Sequence, residues 1–298
     1  MSQFQRLLLV ADPQLHHSTA LQRAAALAQA SGAALHILSV LEPPPALPLL
    51  DHSVRELTRE ARLQACQDWL KDEVELLRSK GLEVTSEVLW SDQPLKEILV
   101  HVAEMPVDLL IKDLQHELAL KRAFVTPLDW HLLRECPAPV HLVGATGNPL
   151  PRKVVASVDL APIAEEGKDL NQRIIEMANG LALQCDAELH LLHVCDLSPT
   201  FLAEAGTATA VCVDMIEELR QTQGTSFTAL AQHYGVPAER RHFLVGSPIH
   251  AIAEFAASNQ ADVLVMGRVQ RKGLDKLVGS TTEHLLYRAP CSILTIAL

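Results

Sequence analysis

Short apolar runs bounded by polar turns alternate along the whole chain with longer segments whose apolar residues recur every three to four positions. In the first half the short runs are Leu7–Ala11, Ala34–Leu41, Glu83–Leu89, Asp108–Ile111 and Val140–Val143, and they read as strands. Helices are expected between them, over Thr19–Ala30, Val54–Ser79, Leu95–Ala103 and Asp129–Arg134. Ser18 or Thr19 can cap the first helix and Gly32 can end it; Gly81 closes the second and Pro94 precedes the third. The second half follows the same plan. Its strands are Val154–Val158, Glu188–Val194, Arg241–Leu244, Val263–Met266 and Ile293–Ile296; its helices are Leu170–Leu183, Val213–Tyr234, Ile249–Ser258 and Thr281–Tyr287. Such alternation predicts an α/β chain with parallel sheets covered on both faces. Ligands of these sheets bind at the carboxyl ends of the strands, where the strand order switches.

The two halves repeat each other. RLLLVAD (Arg6–Asp12) returns as KVVASVD (Lys153–Asp159), and ALHILSVLEPP (Ala34–Pro44) as ELHLLHVCDLSP (Glu188–Pro199). VDLLIKD (Val107–Asp113) returns as ADVLVMG (Ala261–Gly267), and HLLRECPAPVHLV (His131–Val143) as HLLYRAPCSILTI (His284–Ile296). The spacing from His36 to His190 and from Asp108 to Asp262 is 154 residues, and from His131 to His284 it is 153. A duplicated unit follows. The stretch GATGNPLPRK (Gly144–Lys153), with its glycines and prolines, separates domains expected at 1–147 and 150–298.

Composition narrows the function classes. Aromatic residues are 4% against 48% hydrophobic in all, so the cores are aliphatic. The net charge of −11 argues against a surface that tracks nucleic-acid phosphates; Arg268, Arg271, Lys272 and Lys276 form only a local basic patch. Six cysteines without a CxxC pair read as reduced thiols of a cytoplasmic protein. No apolar stretch is long enough to span a membrane, and the opening MSQFQRLLLVADPQ enters a strand without a leader pattern.

The segment MGRVQRKGLDKLVGSTTEHLLYRAPCSIL (Met266–Leu294) resembles the phosphate loop of the universal stress protein family. Nucleotide-binding members carry Gly-x-x-Gly, nine residues, then Gly-Ser/Thr. Gly267 matches the first glycine, Gln270 stands at the second, Gly273 matches a frequent third, and Gly279-Ser280-Thr281-Thr282 matches the end. The loop is one residue short, with eight residues from Arg271 to Val278. Glycines admit an anion to the backbone, and amides at a helix start bind it. The resemblance implies ATP, AMP or another phosphate-bearing small molecule in domain 2. Gly267, Gly279, Ser280 and Thr281 would surround the phosphates, Asp159 the ribose or adenine, and Val194 the base. Met266, Arg268, Gln270 and Thr282 complete that expected site. Domain 1 departs from the pattern: its fourth strand ends in Lys112-Asp113, residues 114–124 hold no glycine, and Thr126-Pro127 occupies the place of Gly279-Ser280. Pro127 has no N–H to offer a phosphate. Asp12, Asp113 and Thr126 mark the corresponding first pocket. The segment TPLDWHLLRECPAPV (Thr126–Val140) is similar to the tandem E-type members of the family. The resemblance therefore implies two tandem, open-twisted, five-stranded α/β sandwiches of the adenine-nucleotide alpha hydrolase-like Usp fold, pseudo-twofold related. The edge strands Val140–Val143 and Ile293–Ile296 would pair the domains within the chain, much as separate members form homodimers.

Plainer readings stand beside these. Ser280 with Glu283 makes a capping box, and Asp12 and Asp159 can each cap a turn. His36 and His190 are repeat equivalents expected to pack within strands, and the adjacent His16 and His17 sit near Asp12. No HxH or HExxH spacing appears, so no metal is predicted. No triad order or nucleophile elbow is visible either, which leaves at most slow ATP hydrolysis. Cys212, in an apolar stretch without basic neighbours, reads as an inert thiol. LEPPPALPLLDH (Leu41–His52) reads as a stiff loop, or as a lid over an apolar pocket with Ala203–Cys212 as its counterpart. A binder of an apolar or lipid-like metabolite and a partner-binding scaffold without nucleotide are the alternative functions.

Overall fold

Each half of the chain builds its own parallel sheet. The computed structural model describes residues 4–114, 128–145, 148–160, 165–197, 213–268, 282, 285, 286 and 290–297, and it divides into the units Met1–Leu150 and Pro151–Leu298.

In the first unit the strands are β1 (Arg6–Val10), β2 (Ala34–Leu41), β3 (Val84–Trp90), β4 (Leu109–Asp113) and β5 (Val140–Val143). They lie in the order β3-β2-β1-β4-β5, every pair parallel. Helices α1 (Thr19–Ser31), α2 (His52–Ser79), α3 (Pro94–Glu104) and α4 (Leu128–Glu135) make the crossovers. Leu9 pairs with Ile37 on one side and Ile111 on the other, and all three are fully buried. Apolar runs rather than alternating ones suit strands covered on both faces. Ser18 is the cap that α1 uses: its hydroxyl accepts from the Leu21 N–H at 3.1 Å. Gly32 ends that helix at φ 71, a left-handed conformation that costs glycine little.

The second unit repeats the plan with β6 (Lys153–Val158), β7 (Glu188–Cys195), β8 (Arg241–Val245), β9 (Val263–Arg268) and β10 (Ser292–Ala297). Their order is β10-β9-β6-β7-β8, again parallel throughout. The described helices are α5 (Glu165–Cys185), α6 (Val213–His233) and α7 (Pro248–Ser258). The repeat extends to side chains. Asp108 Oδ2 accepts from the N–H groups of Gln5 and Arg6 at 2.7 and 2.9 Å, and Asp262 Oδ2 does the same for Arg152 and Lys153 at 2.8 and 2.9 Å. Each aspartate ties the entry of the fourth strand to that of the first.

Most strands and helices differ from the sequence expectation by a residue or two at their ends. Two differences matter for the site. β4 runs through Lys112-Asp113, two residues beyond Ile111, and β9 runs through Gly267-Arg268, two beyond Met266. These residues belong to the sheet and not to the following loop, because ladder pairing continues to Lys112–Leu142, Asp113–Val143 and Arg268–Ala297. α5 starts at Glu165, before the expected Leu170, since charged residues in a first turn do not interrupt a helix. The expected helix Thr281–Tyr287 lies mostly outside the described residues.

Candidate ligand site at the strand carboxyl ends

In the first unit β1 pairs with β2 on one side and β4 on the other, so the strand order reverses at β1. Crossovers leave such a point in opposite directions and open a crevice at the carboxyl ends. A cleft of about 620 Å³ lies there, between Asp12 at the end of β1, Val40 of β2 and Asp113 of β4, with Pro43, Pro44 and Pro45 on one wall. The proline segment, expected as a stiff loop or lid, thus lines the crevice.

The polar groups of this cleft are mostly spoken for. Asp113 Oδ1 accepts from the Ala20 N–H at 3.0 Å and faces the Thr19 hydroxyl at 3.2 Å. A carboxylate from the sheet therefore occupies the amino-terminal end of α1, where the helix dipole favours an anion. Its Oδ2 is buried without a hydrogen-bond partner, which concentrates negative charge at the floor. Lys112 is buried as well; its Nζ donates to the Asp113 carbonyl at 3.0 Å and forms an ion pair with Asp129, 2.9 Å from its Oδ1. Arg62 reaches the rim from α2; its Nη1 donates to the Glu42 carbonyl at 3.0 Å and its guanidinium lies 5.5 Å over the Trp90 ring. Asp12 Oδ1 accepts from the Gln14 N–H at 2.9 Å, so this residue caps its own turn. Thr126, the third residue expected in this pocket, lies outside the described residues.

At the matching end of the second sheet the chemistry differs. Met266 is buried, Arg268 is fully buried, and the buried Thr282 donates its hydroxyl to the Gly267 carbonyl at 3.2 Å. Gly267 has a packing reason to be glycine: a Cβ there would stand 2.6 Å from Leu170 Cδ2 and 2.8 Å from its Cγ. Asp159 is held through its backbone. Its N–H donates to Asn171 Oδ1 at 3.0 Å, and its carbonyl accepts from Asn171 Nδ2 at 2.6 Å. Val194 is buried near the end of β7. Beside it the buried His193 places Nδ1 3.0 Å from the Val158 carbonyl and Nε2 2.9 Å from Gln223 Oε1. Thr282 meets Gly267, the chain neighbour of Met266; Gln270, Gly279, Ser280 and Thr281 lie outside the described residues, as do residues 198–212.

Asn171, His193 and Lys112 were not singled out in the sequence as site residues. One signal was available for Lys112. At register-equivalent places the halves carry Lys112 and Met266, then Asp113 and Gly267, a change from charged to uncharged at two successive positions near the end of the fourth strand. The five described cysteines are free. Burial pushes the thiols of Cys66 and Cys195 above their ordinary range, and that of Cys291 up to about 12. These are protonated, unreactive groups. Cys212 lies outside the described residues.

The sequence profile described as "Universal stress protein family" matches residues 3–144 and 152–297. Universal stress protein E of Escherichia coli K12 is 27% identical over 308 aligned residues, covering 99% of this chain and 95% of that protein. The same-named protein of Photorhabdus laumondii is 27% identical over 310, covering 99% and 96%. Among solved structures, a functionally unknown protein from Pseudomonas aeruginosa PAO1 superposes with a TM-score of 0.74 at 26% identity, over 99% of this chain and 92% of that one. A universal stress protein from Archaeoglobus fulgidus gives a TM-score of 0.68 at 16% identity, over 99% and 97%, which speaks to the fold alone.

Proposed function

Because the chain belongs to the universal stress protein family, we propose that it is a small-molecule binder whose two units have diverged in the ligand they take. The observation that carries this reading is the first unit's cleft of about 620 Å³ at the switch point, within the size range of ligand pockets. Its anion position is already filled by Asp113. The cationic head of Lys112 is turned to Asp129 and the backbone. Such a cleft disfavours a polyphosphate and suits a molecule with an apolar body against Pro43–Pro45 and a hydrogen-bond donor or positive charge toward Asp113. This is the apolar or mixed alternative rather than the nucleotide.

A second reading concerns the second unit. Gly267 replaces the carboxylate that fills the helix start in the first unit, which favours an anionic group there. Gly279, Ser280, Thr281 and Thr282 would then hold the phosphate of ATP, AMP or a similar molecule, with Asp159 near its ribose. The family resemblance supports this arrangement; the packing of Leu170 on Gly267 weakens it, because it accounts for that glycine without a ligand. Free thiols and the absence, among the described residues, of a helix long and apolar enough to cross a membrane fit a cytoplasmic setting.

Native mass spectrometry of the purified full chain, with and without added ATP, separates the readings. The expected result is a co-purified mass that disappears in Val40→Trp, which fills the cleft, and persists in Gly279→Asp. An adduct appearing only with ATP and lost only in Gly279→Asp would move the site to the second unit. A chain bare under all conditions would replace ligand binding by a partner-binding scaffold.

A further inference from the structure

On the side of the first sheet that α3 covers, three side chains from three elements converge. His36 comes from β2, Glu87 from β3 and His101 from α3, and each offers one ligand atom within 4.8 Å of the others. Among the described residues no other set of three such groups is this close. His101 Nε2 stands 3.3 Å from Glu87 Oε2. Two ligands of a tetrahedral ion with bonds of about 2.0–2.1 Å are separated by roughly that distance. The His36 and His101 rings lie parallel, 5.2 Å apart at 18°.

A neighbouring residue fixes the His36 ring. Thr85 is its register partner on β3, and the Thr85 hydroxyl lies 2.8 Å from His36 Nδ1. With the proton on Nδ1 and donated to that hydroxyl, the lone pair is on Nε2. That nitrogen is buried and has no hydrogen-bond partner. Metal-bound imidazoles show this arrangement, with the outer nitrogen held by an oxygen and the inner one left for the ion. The Glu87 side chain is 47% exposed against 13% for His101, so an ion has a path from solvent and a water has room as fourth ligand.

The second unit supplies an internal contrast. His190 matches His36, and His242 pairs with Leu192 as Glu87 pairs with Leu38. Phe255 holds the place of His101, 154 residues on. There His190 Nδ1 lies 3.0 Å from His242 Nε2, and the Phe255 ring packs 4.6 Å from the His242 ring. Glu188 reaches His190 Nε2 at 3.3 Å from the exposed edge, but an aromatic hydrocarbon fills the third ligand's place. Two of the three site-forming residues, Glu87 and His101, are places where the halves differ.

We propose that His36, Glu87 and His101 form a divalent metal site of the zinc class, with one position left to water, tying β2, β3 and α3 together. Imidazole and carboxylate ligands at these spacings suit zinc, whereas magnesium and calcium ask for more oxygen donors. The site lies apart from the cleft and does not depend on the ligand proposed for it.

The test is calorimetric titration of the chelator-treated full chain with zinc chloride, with cobalt(II) absorption as a report of tetrahedral coordination. One equivalent is expected to disappear in His101→Phe and in Glu87→Gln and to remain in the second-unit variant His242→Phe. Thr85→Val is expected to weaken that equivalent about tenfold with the other ligands in place. Glu87 and Thr85 report even if His101→Phe fails to fold, and circular dichroism checks each variant. Wild-type protein that takes up no zinc overturns the proposal. So does an equivalent that survives Glu87→Gln and Thr85→Val unchanged, or one that is lost equally in His242→Phe.

Discussion

At the carboxyl end of β4 the chain reads Lys112-Asp113, and at the same place on β9 it reads Met266-Gly267. The sheets around them superimpose in order and register, yet the two ends are closed by different physics. In the first unit a buried ion pair, Lys112 with Asp129, and a carboxylate on the start of α1 do the work. In the second, Thr282 stands where Asp129 does and a hydroxyl-to-carbonyl bond replaces the ion pair, while Leu170 packs onto the bare glycine. A duplicated fold can thus keep its sheet while its ligand end changes character at a few positions. The charged end has given its anion site to its own chain.

The sharpest way to break this comparison is to remove one partner of the ion pair. Asp129 has no exposed side-chain surface, so Lys112→Met takes a cation away from a buried carboxylate. A loss of roughly 3–5 kcal/mol from the first unit is expected. The double variant Lys112→Met/Asp129→Thr installs the second unit's pair and is expected to recover most of that loss, since apolar replacement of a buried pair is often neutral. All three tryptophans, Trp69, Trp90 and Trp130, lie in the first unit. Denaturant unfolding followed by their fluorescence therefore reads this unit by itself. A Lys112→Met midpoint equal to wild type would show that the pair contributes nothing.

The sheets themselves were legible. Apolar runs without alternation, bounded by turn residues, placed all ten strands to within two residues, because burial on both faces leaves little freedom in such a sequence. The doubled landmarks were legible too, and Asp108 and Asp262 proved to make the same pair of backbone bonds. Contacts between distant positions were not. Thr19 and Ala20 meet Asp113 across more than ninety residues, and His36 meets Glu87 and His101 only once three elements have packed. The packing role expected for His36 is compatible with this, the ring stacking on His101, but no local spacing encodes a convergence gathered from two strands and a helix. Gly267 was read as a phosphate-loop glycine on its motif alone. Its contact with Leu170 is a second, sufficient reason for the same residue.

A smaller effect sharpens the contrast at the strand ends. Gly267→Ala puts a methyl group 2.6 Å from Leu170 Cδ2, and overpacking of this kind costs about 1–3 kcal/mol. At the matching place Asp113→Ala removes the carboxylate that accepts from the Ala20 N–H in the first turn of α1, a loss of about 1 kcal/mol. The two alanines should therefore differ in cause as well as size. Gly267→Ala/Leu170→Ala should relieve the first loss in part, because the crowding atoms are gone, whereas no change at Leu170 should affect Asp113→Ala. Unfolding measured by circular dichroism for the second unit and by tryptophan fluorescence for the first distinguishes them. Equal and independent losses would mean that the close approach at Gly267 is not what holds it.

The smallest effect is a dependence on pH. In the second unit His190 and His242 stand in contact, and burial, first of all, holds both below the ordinary histidine value of 6.5; the cation of Lys153 pushes the same way on each. The Glu188 carboxylate opposes this for His190. The unfolded chain therefore binds protons at a pH where the folded unit still resists them, and stability rises with pH wherever that is so. The stabilising contribution is present above pH 6.5 and is lost as the pH falls below it. His242→Glu installs the first unit's residue type. A carboxylate beside His190 favours its charged form, so this variant should lose less stability on acidification than wild type. Denaturant midpoints followed by circular dichroism at about pH 7.5 and 5.5 give the comparison. A wild-type midpoint that does not fall, or a His242→Glu midpoint that falls further than wild type, would mean that the paired imidazoles are not what resists the proton.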